Sequence, residues 1–432
     1  MFPEYSEWVS ETAGEVPVFR VSTQQIDDIR PLIPLVDPRH PLVFIRRGQG
    51  IAGVGVARRF EFSGPNRMTD AAAAWKRIAA AAHVDDAVAL PGTGLVAFGA
   101  FAFADTSAAS SVLIVPSVVI GRRGDTSWIT YISVEKHPFE THQDHHTATG
   151  TVRTATPMGR EFRVDLRPGS LPPVGFVVAV SAAVHHILDG DVEKVVLARD
   201  LVGHLPEQAD LRPLLADLSL GYPDCWTFAV DGLVGSSPET LIRADHGEVT
   251  ARVLAGSTAR GADALSDEAA AVALATSPKD LDEHEYALQS LLTSLRPHSK
   301  NVTTSELPFT LKLPNVWHLA SDVEGTLSDG SSSLDLIAAL HPTAAVAGTP
   351  TKAALAIIDE LEPFDRARYA GPVGWVGQSG DGEWAIALRS AEIADNGDIT
   401  AFAGAGILSG SDALMELAET KMKFRPIVEA FG

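Results

Sequence analysis

The chain has 432 residues and a formal net charge of −21, with 34 Lys and Arg residues against 55 Asp and Glu residues. This charge argues against binding to nucleic acid or to an anionic membrane, because both require a positive protein surface. The composition, 45% hydrophobic and 21% charged, is typical of a globular protein with a substantial core. The single cysteine, Cys225, excludes an intrachain disulfide and a cysteine-based zinc site, and it favours a reducing cytoplasmic location.

Neither an export signal nor a membrane span is predicted. The N-terminal sequence MFPEYSEWVSE is acidic and lacks the basic and apolar regions of a signal peptide. The longest uncharged stretch, residues 87–104, contains a proline and three glycines and is shorter than the ~20 apolar residues of a spanning helix. We interpret this stretch as a turn followed by a buried strand.

Residues 1–136 predict the β-rich N-terminal half of a large fold. The Ala-rich segment 70–82 predicts a helix, and short apolar runs bounded by Gly and Pro predict strands at residues 41–45, 51–62, 95–103 and 112–120. A G-x-G-x-x-G string begins at Gly48, but the β-like sequence IAGVGVARRFEF follows it. A dinucleotide-binding fingerprint would require a helix there, so we expect no nucleotide site.

Residues 137–173 are polar, contain prolines and lack a clear period, and we interpret them as a linker. This segment begins with four histidines, His137, His142, His145 and His146. The last three have a spacing that could bind a metal, but solvated side chains are the simpler interpretation of histidines in a linker without a rigid scaffold.

Residues 174–432 predict the catalytic region, with a helix at 175–186, a strand at 192–200 and later strands mixed with well-capped helices. Together with the N-terminal half, they predict an α+β architecture of large, mostly antiparallel sheets with helices outside.

Two charged side chains of this region suit acid–base chemistry. Strand alternation in VEKVVLARD places Lys194 on one face with Val196 and Ala198. Apolar neighbours disfavour the charged ammonium and would prepare Lys194 as a general base, whereas an edge-strand lysine would simply reach solvent. Glu239 follows Ser-Pro at the start of ETLIRA, and a partly desolvated carboxyl in this constrained corner would stay protonated as a general acid.

A third acidic residue lies on a predicted helix. Ser277 and Pro278 form its N-cap and first position, and the helix continues through KDLDEHEYALQSLLTSL. Glu283 aligns with Ala287 and Leu291 at i+4 and i+8, so it borders the buried face.

The predicted C-terminal helix carries Glu416, Glu419 and Lys423 on one face, at i, i+3 and i+7. One interpretation is a solvated face with a Glu–Lys pair. The other is an Mg²⁺ site built by glutamates from two helices, with a lysine beside it for an anionic group.

Glycines and cations near the C-terminus suit recognition of a carboxylate. The sequence AGAG at residues 403–406 follows the strand-like DITAF, and its glycines would let backbone amides approach a ligand closely. Arg389, in the predicted strand WAIALRS, and Tyr369 could both contact a carboxylate, unless Arg389 forms a surface ion pair and Tyr369 makes ordinary packing contacts.

These segments resemble the chorismate-utilising enzymes, and among them the isochorismate synthases. The matching strings lie within residues 192–423, over half of the chain, with order and spacing intact. In chain order they are EKVVLARD, SSPETLIR, VLAGSTARG, SPKDLDEHEY, VWHLASDVEG, HPTAAVAGTP, ELEPFDRARYAGPVGW, WAIALRSAEI, FAGAGI and MELAETKMK. The resemblance implies one large fold of two packed, mainly antiparallel sheets with helices outside and the site between the layers.

The resemblance also implies roles for individual residues. Lys194 would activate water for attack at ring C2, and Glu239 would protonate the departing C4 hydroxyl. Glu283 and Glu419 would hold Mg²⁺ against the ring carboxylate, with Glu416 beside them. The groups that would receive substrate carboxylates are Tyr369, Arg389, Lys423 and the amides of Gly404 and Gly406, and the site would also include Gly256, Ser257 and His318.

Three positions separate the enzymes of this family. Anthranilate synthases have glutamine in place of Lys194, and aminodeoxychorismate synthases have a nucleophilic lysine in place of Ala255. Both residues of this chain favour water as the nucleophile. Salicylate synthases tend to have threonine in place of Ser257.

The sequence therefore predicts an Mg²⁺-dependent isochorismate synthase, an isomerase of menaquinone or siderophore biosynthesis that acts on chorismate as a monomer with no obligate partner. The alternatives are a salicylate synthase and a catalytically silent chorismate-binding or regulatory protein. Because the chain is strongly negative, a dianionic substrate requires Lys194, Arg389, Lys423 and a divalent cation to converge locally.

Overall fold

The computed structural model describes residues 16–27, 30–135 and 155–432. Eight α-helices lie within these ranges: α1 Arg67–Ala81, α2 Pro173–Leu188, α3 Arg212–Gly221, α4 Ala264–Ala275, α5 Pro278–Leu295, α6 Ser333–Leu340, α7 Thr351–Leu361 and α8 Ala413–Phe431. The strands of the same ranges are β1 Phe19–Ile26, β2 Leu42–Arg46, β3 Gln49–Val54, β4 Arg58–Phe62, β5 His83–Asp86, β6 Val96–Ala100, β7 Ser111–Val115, β8 Val118–Arg123, β9 Thr126–Val134, β10 Arg167–Pro168, β11 Lys194–His204, β12 Trp226–Val230, β13 Leu233–Ser237, β14 Thr240–Asp245, β15 Glu248–Ala259, β16 Ser299–Thr304, β17 Phe309–Lys312, β18 Val316–Leu327, β19 Gly348–Thr349, β20 Pro372–Gly377, β21 Gly382–Ile386, β22 Ser390–Ile393 and β23 Asp398–Ile407.

The strands form two large sheets. The first sheet has thirteen described strands in the order β10-β11-β23-β22-β13-β12-β2-β3-β8-β9-β1-β5, with β19 paired to β11. The second sheet has ten described strands in the order β16-β18-β15-β14-β21-β20-β6-β7-β4, with β17 paired to β18. Every described pairing is antiparallel except that of β1 with β5. The predicted α+β class, with two mainly antiparallel sheets, is confirmed.

Both sheets combine strands from the two halves of the chain. In the first sheet β2 pairs with β12, and in the second β6 pairs with β20. One hydrophobic cluster contains side chains of both sheets, among them Phe44 and Phe228 of the first and Phe98 and Trp384 of the second. Because these side chains leave water together, the halves share one core.

Several predicted elements occur with shifted ends. The helix predicted at residues 70–82 is α1, the helix at 175–186 is α2, and the buried strand within residues 87–104 is β6, whose side chains are all buried.

The glycines of the G-x-G-x-x-G string lie in the β2–β3 hairpin, whose turn residues Arg47 and Gly48 both have positive φ. Such a two-residue turn matches the twist of a hairpin, which agrees with the absence of a dinucleotide fingerprint.

The local structure differs from the prediction at the AGAG segment and at Arg389. The AGAG sequence lies within β23, where Gly404 pairs with Ala198 and Gly406 with Val196, rather than after a strand. Arg389 lies between β21 and β22 with a φ of 50°, so the WAIALRS segment breaks before it. The four histidines of the predicted linker lie outside the described residues. No described helix is long and apolar enough to cross a membrane.

Candidate active site

A pocket with an empty volume of about 690 Å³ lies between the two sheets, bordered by α5 and α8. β11 and β23 of the first sheet and β15 and β18 of the second contribute to its walls. Ten of the thirteen predicted site residues line it: Glu239, Gly256, Ser257, Glu283, His318, Tyr369, Arg389, Gly404, Gly406 and Lys423. The other three predicted residues do not line the pocket. Lys194 contacts Glu283, Glu419 contacts Lys423, and Glu416 contacts Lys279.

Lys194 lies directly behind the pocket wall. Its side chain is fully buried, and Nζ lies 3.3 Å from Glu283 Oε1. The two groups are not aligned for a hydrogen bond, so Nζ has no hydrogen-bond partner among the described residues. A Cβ on Gly406 would overlap Glu283 Oε1 and lie 3.1 Å from Lys194 Cε. Glycine at 406 therefore leaves the space in which the lysine and the glutamate meet.

Glu239 precedes β14 and is 4% exposed. Burial raises the pKa of its carboxyl group to about 8, although the charges of Lys194 and Lys423 oppose this shift. The carboxyl is consequently protonated at neutral pH and can donate a proton into the pocket, as a general acid requires. Since the Lys194 charge acts on Glu239, the two groups lie within electrostatic range of each other.

Arg389 presents an unsatisfied donor to the pocket. Its Nη2 lies 3.1 Å from His318 Nε2, and its buried Nη1 has no hydrogen-bond partner among the described residues. Burial and the charges of Arg389 and Lys423 lower the pKa of His318 well below its usual value, so the neutral ring can accept from Arg389. A buried guanidinium with a free edge is suited to bind a ligand carboxylate.

Tyr369 lines the pocket and packs against β23. Its ring stacks on Phe402 at 5.2 Å, and burial raises the pKa of its hydroxyl to about 12. The hydroxyl therefore stays protonated and remains a hydrogen-bond donor. It lies beside the backbone of Gly404, whose carbonyl also accepts a hydrogen bond from Lys423 Nζ at 3.0 Å.

A β-bulge directs Ser257 into the site. The register between β15 and β18 shifts between Ala255 and Ser257, and Gly256 at the shift has a φ of 78°. Glycine tolerates this conformation, and the bulge re-aims the following side chain. Although burial alone would raise the pKa of Glu419, the Lys423 ammonium and the Ser257 hydroxyl hold it below its usual value.

Each of the three predicted metal-site glutamates is paired with its own lysine. Glu283 lies near Lys194, Glu419 Oε1 lies 2.6 Å from Lys423 Nζ, and Glu416 Oε1 lies 2.7 Å from Lys279 Nζ. Glu416 is 2% exposed, so these residues do not form a solvated helix face. Burial disfavours the Lys279 ammonium, but Glu416, and then Glu283 and Glu419, hold its pKa above the usual value. The three carboxylates thus act on a common cation.

Glu283, Glu416 and Glu419 offer carboxylate oxygens, the donors that Mg²⁺ prefers, but their oxygens do not all lie within 4.8 Å of one another. A different group, Asp245, His246 and Asp381, is the one among the described residues whose potential ligand atoms all lie within 4.8 Å of one another. It lies outside the pocket and includes an exposed histidine.

The sequence interpretation missed two residues at this site, although both lie in strings that carry the resemblance. Lys279 follows Pro278, the first residue of α5, and the sequence signal for it was a basic residue one helical turn before Glu283. Arg366 lines the pocket and makes two hydrogen bonds to Glu362, at 2.8 and 2.6 Å, and one to the Val196 carbonyl. It positions the strand that carries Lys194.

A buried acid, a buried lysine and a free guanidinium edge around one pocket define a site for a small molecule that carries carboxylates. The family model described as chorismate binding enzyme matches residues 14–432, and the chain belongs to this family.

Named relatives agree with this family. The chain is 39% identical over 272 residues to the isochorismate synthase DhbC of Bacillus subtilis (strain 168), covering 60% of this chain and 68% of that protein. It is 37% identical over 291 residues to a putative isochorismate synthase MenF of Mycobacterium tuberculosis (strain CDC 1551 / Oshkosh), covering 64% of this chain and 78% of that protein.

A solved structure extends the similarity to nearly the whole fold. The crystal structure of a putative 2,3-dihydroxybenzoate-specific isochorismate synthase, DhbC from Bacillus anthracis, matches with a TM-score of 0.75 and 28% identity, covering 93% of this chain and 98% of that one. The predicted resemblance to the isochorismate synthases is confirmed, and the chain belongs to an enzyme family.

Proposed function

We propose that this protein is an Mg²⁺-dependent isochorismate synthase that converts chorismate to isochorismate. The observation that carries the proposal is the meeting, at one pocket, of two buried side-chain nitrogens that have no hydrogen-bond partner among the described residues, Lys194 Nζ and Arg389 Nη1, with the protonated carboxyl of Glu239. Buried unsatisfied donors are costly, and a dianionic substrate would supply the missing acceptors. The names of the relatives support the same substrate.

In this proposal, Lys194 and Glu239 perform the proton transfers. The unprotonated Lys194 amine removes a proton from water while the water oxygen forms a bond to ring C2. The ring double bonds shift, the C4–O bond breaks, and Glu239 gives its proton to the leaving hydroxyl. One water is consumed and one is released, so the atoms balance and the reaction is an isomerisation. Proton transfer by positioned groups of this type contributes about 10²–10⁴-fold to a rate.

The remaining residues bind and orient the substrate. Arg389 binds one carboxylate through its free guanidinium edge, and His318 fixes the orientation of that guanidinium. Lys423 and the Tyr369 hydroxyl, both beside Gly404, bind a second anionic group. Glu283 and Glu419 would hold Mg²⁺, with Glu416 beside them, and the ion would supply positive charge that neutralises a ring carboxylate and makes the ring electron-poor.

Lys194 and Ala255 favour water over ammonia or an enzyme amine as the nucleophile, as the comparison of family motifs implies. The family resemblance implies that the product serves menaquinone or siderophore biosynthesis.

Incubation of the protein with chorismate and Mg²⁺, followed by chromatographic separation of the products, tests the proposal. Isochorismate as the single product is expected. Salicylate with pyruvate would instead identify a salicylate synthase, and unchanged chorismate would identify a silent binding protein. A Lys352→Gln variant is a suitable control for the lysine variants discussed below, because Lys352 is an exposed residue of α7 outside the pocket.

A further inference from the structure

A second cleft opens between the sheets and shares no lining residue with the candidate active site. Its empty volume is about 1130 Å³. The ends of β2, β3 and β8 in the first sheet and parts of β14, β15 and β18 in the second form its walls. Six arginines line it: Arg46, Arg47, Arg122, Arg123, Arg243 and Arg252.

The cleft is positively charged although the protein is strongly negative. Its lining contains three carboxylates, Asp322, Glu324 and Glu383, and two further acids outside the lining pair with its arginines, Asp224 with Arg47 and Asp245 with Arg243, so the six arginines still outnumber these five carboxylates. Arg252 binds Asp322 at 2.6 and 2.8 Å, and Glu383 is shared by Arg123 and Arg243 at 3.0 and 3.3 Å. Like charges held this close repel one another, so the cleft gains stability when an anion enters.

Arg46 is the arginine that is best prepared for a ligand. Its side chain makes no hydrogen bond or ion pair with another described residue, and its guanidinium carbon lies 4.6 Å from the centre of the Trp226 ring. That ring is itself fixed, because Trp226 Nε1 donates to Thr240 Oγ1 at 2.9 Å and Phe44 stacks on it at 4.6 Å. A stacked guanidinium keeps its planar donor edge free for an oxyanion.

The wall of the cleft also contains an unsatisfied acceptor. Gln49 Oε1 is buried and has no hydrogen-bond partner among the described residues. A ligand that combines negative charges with a hydroxyl group would satisfy both the arginines and this oxygen. A nucleic acid is excluded as the ligand, because the net charge of the whole protein repels a polyanion.

We propose that this arginine cleft is a second ligand site that binds a small anion with two or three negative charges, such as a phosphorylated or polycarboxylate metabolite. The site lies next to the catalytic residues along the chain: Thr240 of the cleft follows Glu239, and Arg252 precedes the pocket residues of β15 by two positions. Arginine supplies the bidentate contacts that phosphate and carboxylate groups prefer.

Titration calorimetry with inorganic pyrophosphate in magnesium-free buffer tests the proposal on the full chain. One equivalent should bind, and Arg46→Gln should weaken the affinity at least about tenfold, equivalent to ~1.4 kcal/mol. This variant removes a positive charge without leaving a carboxylate unpaired. Arg77→Gln on the exposed face of α1 makes the same charge change outside the cleft and should bind as the parent protein does.

Two further variants keep the outcome decisive. Gln49→Glu adds a negative charge to the cleft and should also weaken binding, which protects the test if Arg46→Gln fails to fold. Arg389→Gln, in the candidate active site, should retain pyrophosphate binding. The absence of binding, equal binding by Arg46→Gln and the parent protein, or a loss of binding confined to Arg389→Gln would each overturn the proposal.

Discussion

Glu239 provides a prediction at the scale of a single residue. Burial raises its pKa to about 8, so the carboxyl carries the proton that it must donate below that pH and loses it above. We expect kcat/KM for chorismate to fall about tenfold per pH unit above pH 8, because the free enzyme then lacks its acid. A profile measured from pH 6 to 9.5 that stays flat at its alkaline end would contradict the assignment. Glu239→Gln should be nearly inactive at every pH.

Lys194 is the matching base. Lys194→Gln keeps a side chain of similar length but cannot accept a proton from water, and kcat should fall about 10²–10⁴-fold. The affinity for chorismate, measured by calorimetry, should change much less, because Arg389 and Lys423 still hold the carboxylates. Lys352→Gln should retain full activity. Full activity in Lys194→Gln would exclude the lysine as the base.

The residues of the site were predictable to different degrees. Ten of the thirteen predicted site residues line one pocket. They were predictable because the matching strings keep their order and spacing, whereas the strand alternation around Lys194 alone favoured an edge-strand lysine that reaches solvent. The free edge of Arg389 and the pairing of Lys279 with Glu416 depend on contacts between distant segments. Neither the local charge pattern nor the hydrophobic periodicity of the sequence encodes contacts between distant segments.

β23 is the element on which the site depends most directly. Gly406→Ala would place a methyl group against Glu283 Oε1 and Lys194 Cε, and overpacking of this kind costs about 1–3 kcal/mol. We expect turnover to fall at least about tenfold, since the base and the metal-site glutamate must separate. The fold should persist, as measured by circular dichroism and thermal unfolding.

A matched glycine gives the control for this change. Gly377 ends β20 in the second sheet, and a Cβ there would have its nearest neighbour at 3.6 Å, an ordinary contact. Gly377→Ala should therefore retain turnover. Equal activity of the two variants would show that the space at Gly406 does not matter for the site.

The presence of helices and strands was predicted better than the residues at which the strands end. The Ser277-Pro278 signal predicted α5 correctly, and the Ser277 hydroxyl accepts from the Asp280 amide as an N-cap should. The AGAG segment was predicted to follow the strand-like DITAF, but β11 and β23 pair along its whole length. The need for empty space beside Glu283 explains Gly406, and this need arises only after the sheet has formed.

At the scale of the whole molecule, the structure accounts for how a protein with a charge of −21 can bind a dianion. The charges of Glu283, Glu416 and Glu419 are offset by those of Lys279, Lys423 and Arg389, so the site without ligands is close to electrically balanced. A divalent cation and a dianionic substrate together preserve this balance, whereas either one alone disturbs it. Mg²⁺ and chorismate should consequently favour each other's binding.

This balance makes Lys279 a competitor of the metal. Its ammonium lies 2.7 Å from Glu416 and is held by the same carboxylates that would surround Mg²⁺. Lys279→Met removes that charge while keeping the length of the side chain, so a divalent cation no longer has to displace it. We expect Mn²⁺, measured by electron paramagnetic resonance as a probe for Mg²⁺, to bind about tenfold more tightly, a gain of ~1.4 kcal/mol. Lys352→Met should leave the Mn²⁺ affinity unchanged, and unchanged or weaker binding by Lys279→Met would show that Lys279 instead helps to hold the metal site together.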